Sequence, residues 1–305
     1  MKVAVVQIEW ADSPEEGRAN ARRAVAEATR GGEVDLLCFP EFFLGPPWYM
    51  PGQDHLRGTT DTPIPSPLTD EFCDLAREHG CNIVLGSVVE ALDDGKYRNT
   101  CLFIDRSGTI LGSAVKAHAF GNEMVVCRQA EGLGIIETDL GPIGIAVCSD
   151  FWVPEVIRLM AAAGAHTVFV PGGTLRQNQE LMVNALTTTA YLNNVNIVYA
   201  SSVGVVEGRR GDRLVQIHFS GTSLVTTPQG VLAQAANDRP ETLYVDLPEP
   251  AADGDGRRWL DLRRPEAYQA LLEPYADMHR DLAEELRSTL APTPAAPAVG
   301  SGARA

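Results

Sequence analysis

The sequence predicts an α/β fold, a four-layer α-β-β-α sandwich built from two similar halves. Three observations predict it. Short continuous apolar runs, the pattern of strands buried on both faces, alternate with segments of helical spacing. The helical segments carry their own start and stop signals. The order strand, helix, strand, helix, strand, hairpin occurs twice along the chain. Each half alone is a sheet covered by helices on one side, and packing the two sheets face to face buries the other side of both; the alternative is one doubly wound sheet, which continuous apolar strands also fit.

The first half opens with the apolar run Val3–Gln7. Ser13-Pro14-Glu15-Glu16 starts a helix: Ser13 caps, Pro14 fits the first helical position and Glu16 completes a capping box. Ala21, Ala24, Val25 and Ala28 recur at helical spacing, and Gly31-Gly32 ends the segment. Val34–Phe39 is the next buried strand and stops at Pro40-Glu41. A second helix covers Pro67 to His79 and closes at Gly80. Asn82–Val89 is a strand, and Cys101–Lys116 holds two strands around Ser107-Gly108, a hairpin signal.

The same order then returns. Ile143–Val147 is a strand, Pro154 opens a helix that Gly164 closes, and His166–Val170 is a strand ending in Pro171. A helix covers about Gln179–Leu192, and Asn196-Ile197-Val198 matches Asn82-Ile83-Val84. Thr222–Asn237 mirrors Cys101–Lys116, with Gln229-Gly230 at its turn. Residues 1–247 therefore read as one domain. Residues 248–290 form a C-terminal extension whose Pro265–Leu290 stretch reads as helix, and 291–305 has the composition of a disordered tail.

A formal charge of −15 repels phosphate backbones, so nucleic acid is not expected as a partner. The six cysteines form no C-x-x-C pair and share no metal-ligand spacing with the histidines, so neither a metal nor another cofactor is called for. Met1-Lys2 leads straight into the first strand, no run approaches a membrane span, and the thiols suit a reducing compartment. The expectation is a cytoplasmic protein without a membrane partner.

In α/β sheets, sites form beyond the carboxyl ends of strands. Three polar residues stand there: Glu41, Lys116 and Cys148. Singly, Glu41 reads as a capping acid, Lys116 as a solvated lysine and Cys148 as a core thiol. Together they make coherent chemistry. A free thiol is mostly protonated near neutral pH, and a carboxylate in reach takes its proton during attack. An ammonium and a backbone N–H then stabilise the oxyanion. The helix opening at Pro154 is expected to add N–H groups that favour thiolate.

Pro40-Glu41-Phe42, Lys116-Ala117-His118-Ala119-Phe120 and Cys148-Ser149-Asp150 with Pro154-Glu155 resemble the signature blocks of the nitrilase, or carbon–nitrogen hydrolase, superfamily. The resemblance runs from about Val3 to Asp246 and is specific in the order and spacing of its blocks. It implies the same sandwich and a Glu-Lys-Cys triad: Glu41 as base, Lys116 as oxyanion lysine, Cys148 as nucleophile. It also implies that Glu123 orients Lys116 or the substrate nitrogen, and that the chain pairs into a homodimer or larger homo-oligomer. The run Thr189–Asn193 departs from the family pattern by lacking a charged pair.

Nitrile-cleaving branches carry Trp-Glu after the cysteine, whereas Ser149-Asp150 looks like the amidase and carbamoyl-amide branches. Phe151 and Trp152 stand where carbamoyl amino-acid hydrolases keep arginines, so an apolar group is expected there. Trp48, Tyr49, His118 and Phe120 are expected to join that wall, and Arg176 keeps a carboxylate substrate open. The predicted reaction is hydrolysis of a small, non-peptide amide through a thioester on Cys148. The alternatives are nitrile or N-carbamoyl-amide hydrolysis, a silent binding protein on this scaffold, and a redox-sensing thiol with Cys127 as partner.

Overall fold

The computed structural model describes residues 1–11, 13–32, 34–210, 212–249 and 259–268. The first half contains β1 (Lys2–Glu9), α1 (Pro14–Arg30), β2 (Leu36–Cys38), β3 (Asp61–Thr62), α2 (Pro67–His79), β4 (Asn82–Ala91), β5 (Tyr97–Ile104), β6 (Ile110–Val115) and α3 (Glu123–Val126). The second contains β7 (Gly134–Thr138), β8 (Gly141–Ile145), α4 (Pro154–Ala162), β9 (Thr167–Gly172), α5 (Gln179–Asn193), β10 (Asn196–Arg210), β11 (Arg213–Ser220), β12 (Leu224–Thr227), β13 (Gly230–Gln234) and β14 (Glu241–Asp246).

Ser13 caps α1 as its chemistry predicts. Ser13 Oγ accepts the Glu16 N–H at 3.2 Å at the start of α1. Ser66 and Thr69 form a reciprocal box at the start of α2, and Gly80 closes that helix in the left-handed conformation at φ 64°.

Two sheets result. The first runs β6-β5-β4-β2-β1-β14 and the second β13-β12-β10-β9-β8-β7, and they join where the ends of β1 and β10 pair in parallel at Ile8↔Ser202 and Glu9↔Val203. The inner strands alternate between two cores, because successive side chains of a strand point to opposite faces. Val3, Val5, Leu36, Cys38 and Val84 face Ile143, Ile145, Phe169, Val198 and Val225 between the sheets. Ala4, Val6, Leu37, Phe39, Ile83 and Leu85 face the other way, onto Ala21, Val25 and Phe72 of α1 and α2. Val168, Val170, Ile197 and Tyr199 likewise pack on Val156, Met160, Met182 and Leu186 of α4 and α5. Each fully buried side chain of this size contributes about 1.5–3 kcal/mol, and the three sets fix four layers.

One edge strand crosses between the halves. β7 follows the hairpin of the first half but pairs with β8 of the second. β14 follows the hairpin of the second half but pairs with β1 of the first, from Lys2↔Asp246 to Gln7↔Glu241. The first sheet is thus completed by a strand from the second half.

The structure extends the sequence reading in three places. Asn196-Ile197-Val198 begins a 15-residue strand, and β10 with β11 forms a long antiparallel ribbon that the sequence pattern did not suggest. Pro171 lies inside the last two residues of β9, past the stretch that pairs with β8. β7 and β14 are short and not marked by turn signals. Residues 265–268 are helical, and the rest of the expected Pro265–Leu290 helix and the tail fall outside the described residues. Among the described residues no helix is long and apolar enough to cross a membrane.

Candidate active site

Glu41 sits in the turn after β2. The next residue, Phe42, has the left-handed φ of 52°, which costs energy for a non-glycine residue. Its N–H is held by the buried Ser87 Oγ at 3.2 Å. Ser87 lies in the irregularity of β4 between Leu85 and Val88, where Gly86 lets the backbone of Pro40 come close. A bulge in one strand thus holds the turn of its neighbour.

Lys116 follows β6 directly, and its N–H continues the hairpin ladder to the Asn99 carbonyl at 2.9 Å. Cys148 follows β8 by three residues, in a 3-10 turn over Cys148–Trp152, and has the left-handed φ of 47°. Asp150, 3% exposed, sets that turn. Its carboxylate accepts the Val147 N–H at 2.9 Å, the His118 N–H at 2.8 Å and the Ala117 N–H at 3.1 Å. Ser149 Oγ donates to the His118 carbonyl at 2.5 Å. The residues after the lysine and the turn of the cysteine are therefore tied to one buried carboxylate.

The three strand-end residues converge. Lys116 Nζ lies 2.8 Å from Glu41 Oε1 and 2.7 Å from Glu123 Oε2, with all three side chains buried. Cys148 and Glu41 are near enough to shift each other's proton affinity, and the Gly173 N–H also acts on the sulfur. Glu41 Oε2 is on the Gly173 side, 3.9 Å from where a Cβ would stand there. Glu123 also accepts the Phe120 N–H at 3.0 Å and the Tyr49 hydroxyl at 3.3 Å.

Burial and charge set the protonation of this group. Burial raises the Glu41 carboxyl, and Glu123 raises it further, while Lys116 pulls it back. Burial works against the Lys116 ammonium, but Glu41, Cys148 and Glu123 outweigh it and hold its pKa well above the ordinary lysine value. Burial and the negative charge of Glu41 push the Cys148 thiol up, against Lys116 and the Gly173 N–H. The expected thiolate-favouring helix start is thus not what governs Cys148: α4 begins six residues later, beyond the 3-10 turn. Burial favours the neutral form of the Cys148 thiol, and Glu41 is the neighbouring carboxyl group placed to take its proton.

The expected aromatic wall divides. Trp48 and Tyr49 are buried in a small cluster with Phe42 and Val89, and Tyr49 reaches the site through Glu123. His118 is half-exposed, with Nδ1 3.0 Å from Asp150 Oδ1. Phe120 is 69% exposed. The Phe151 ring is buried with Val156, Ile157 and Met160 in the outer core of the second half, 5.9 Å from the Tyr199 ring. Trp152 stacks on Phe151 at 4.4 Å and is 43% exposed. Arg176 is exposed. Cys127 packs in the Trp48 and Tyr49 cluster, and all six cysteines are free thiols.

Two members of the site were not singled out from the sequence. Asn99 donates to both Glu41 and Glu123, and Asp150 binds the two loops. Asp150 had a signal, two residues after the cysteine, but nothing in the sequence says which N–H groups reach it. Asn99 precedes the expected start of the hairpin and carried no signal.

The family model for carbon–nitrogen hydrolases matches residues 2–253. An N-carbamoylputrescine amidase of Solanum tuberosum is 26% identical over 287 residues, covering 88% of this chain and 94% of its own. The crystal structure of an amidase from Nesterenkonia sp. superposes with a TM-score of 0.74 at 25% identity, covering 89% of this chain and 96% of that one. A glutamate-to-glutamine mutant of that amidase, at 22% identity and a TM-score of 0.71 over 88% of this chain and 96% of that one, shows covalent addition of the acetamide moiety of fluoroacetamide at its active-site cysteine.

Proposed function

The chain belongs to the carbon–nitrogen hydrolase family, and from that membership we propose that it hydrolyses a small, non-peptide amide with Glu41, Lys116 and Cys148 as the reacting trio. It is an amidase-like enzyme that works through a cysteine. The observation that carries the assignment of residues is the convergence of the half-buried Cys148 on the buried Glu41–Lys116 pair.

Cys148 Sγ attacks the amide carbon, and its proton passes to Glu41 as the bond forms. General-base help of this kind is worth about 10²–10⁴ in rate. Lys116 stabilises the oxyanion. The tetrahedral intermediate expels the amine, which leaves with the proton from Glu41, and a thioester remains on Cys148. Water then attacks the thioester while Glu41 takes its proton. The acid departs, and the proton returns to the sulfur. The left-handed backbone at Cys148 is the strained geometry expected where a nucleophile is presented at a sharp turn. Glu123 orients Lys116 through the 2.7 Å contact.

Small amides, including carbamoyl amides like those in the names of several relatives, are the substrate class. A matched panel of amides, N-carbamoyl amines and nitriles separates these from the nitrile alternative. The exposed side chains of Trp152, Leu159, Leu181 and Tyr191 on the second half's helical side suit a homodimer or larger homo-oligomer. The six unpaired thiols suit a reducing, cytoplasmic compartment.

The deciding experiment is mass spectrometry after exposure to an amide library. An acyl adduct on the Cys148 peptide, together with lost turnover and an unchanged melting temperature in Cys148→Ala, is the expected result. Turnover retained in Cys148→Ala overturns the assignment.

A further inference from the structure

One buried side chain in the network has no part in the reaction as written. Asn99 of β5 is 1% exposed and donates to Glu41 Oε1 and to Glu123 Oε1, both at 2.8 Å. A primary amide has two N–H bonds, so each carboxylate takes one. Its orientation follows from the partners: turned over, the amide would set its carbonyl oxygen against two carboxylates. In the orientation it has, Asn99 Oδ1 meets no donor among the described residues. An unpartnered buried carbonyl oxygen is unfavourable, so the two N–H contacts are what the site gains from this residue. The backbone carbonyl of Asn99 also receives the Lys116 N–H at 2.9 Å. A single residue therefore holds the lysine by its backbone and both glutamates by its side chain.

Lys116 and Asn99 span the same pair of carboxylates, one as a charged donor and one as a neutral donor. On Glu41 both converge on Oε1, while Oε2 remains on the side of Gly173, whose N–H favours the ionised form of the Cys148 sulfur. A second cation in the place of Asn99 would weaken Glu41 as a base. An amide fixes the carboxylate without adding charge.

We propose that Asn99 is a positioning residue for the hydrolytic reaction: it occupies Oε1 of Glu41, ties that oxygen to Glu123, and leaves Oε2 as the acceptor for the Cys148 proton. The inference rests on Glu41 being the base. Around Glu41 the titratable groups are Lys116, Glu123 and Cys148, with Tyr49, Cys101 and Cys127 further out. Removing an N–H donor from Glu41 disfavours its ionised form, so the acid limb of any process that needs the carboxylate moves to higher pH.

The test uses Asn99→Leu, similar in volume and without donors, and Asn99→Ser. Two pH profiles are measured: kcat and KM on a small amide, and the rate of alkylation of the Cys148 peptide by iodoacetamide, read by mass spectrometry. The expected result is an acid limb at higher pH in both profiles. kcat falls by about tenfold to a hundredfold, the worth of one or two hydrogen bonds to a charged group, with KM little changed. An unchanged acid limb of alkylation in a folded variant overturns the proposal, whichever variant folds. If the native protein cleaves no amide, the reading of the reaction fails, but the alkylation profile still decides the role of Asn99.

Discussion

Gly86 of β4 lies against Pro40, so close that a Cβ on Gly86 would collide with the Pro40 carbonyl oxygen and stand 2.6 Å from that of Phe39. That contact joins the irregularity of one strand to the turn that presents Glu41, and Ser87 beside it bonds the Phe42 N–H.

Gly86→Ala is therefore expected to act at a distance. The obstructing atoms are backbone and cannot rotate away, so overpacking costs about 1–3 kcal/mol or more. The displaced turn moves Glu41 from Cys148. Thermal melting and kcat on one amide should both fall, and a variant with full kcat would show that the turn does not depend on this contact.

Glu41→Gln keeps an acceptor oxygen for Lys116 and Asn99 but cannot take a proton. Turnover should drop by about 10²–10⁴ at neutral pH, in line with the loss of a general base. In the native protein the raised Glu41 carboxyl places the acid limb of kcat/KM above the range of an exposed glutamate, because activity requires the ionised form. The pH profile of kcat/KM checks the limb and its absence in the variant.

Lys116→Met leaves two carboxylates buried without their cation. Breaking a buried pair from one side costs about 3–5 kcal/mol. The pH dependence has a defined sign. A carboxyl raised in the folded state binds more protons there than in the unfolded chain, so stability is lost as pH rises between the two values. With Lys116 gone Glu41 rises further. The melting temperature of the variant should recover toward the native value as pH falls from about 7 toward about 5. A constant deficit over that range would argue that Glu41 is not the group left unpaired.

Phe151→Ala and Trp152→Ala separate packing from substrate contact. Phe151 is buried against Tyr199 and the α4 side chains, and its truncation should destabilise by about 3–5 kcal/mol with the order of substrate preference intact. Trp152 is 43% exposed, and its truncation should change melting little. A reordered substrate panel in Phe151→Ala would return that ring to the substrate wall. Chemical denaturation and the amide panel provide both readouts.

Much of the fold was legible because its signals are local. Ser13, Gly80 and Pro154 act within one turn, and the alternation of Val3, Ala4, Val5 and Val6 between two cores is a property of any strand. The return of β14 to the first sheet was not legible, since a six-residue strand does not record its partner. Nor was the β10–β11 ribbon, whose length depends on pairing with a distant segment.

The site divides along the same line. The sequence by itself determined which residues end the strands, and so marked Glu41, Lys116 and Cys148, together with Glu123 through the family resemblance. Only the tertiary structure decided that Asn99 and Asp150 stand among them, that Phe151 belongs to a core, and that burial raises the Cys148 thiol. The reason is physical. Strand ends are set by local backbone chemistry, whereas hydrogen-bond partners and proton affinities depend on which groups from distant strands share a space without water.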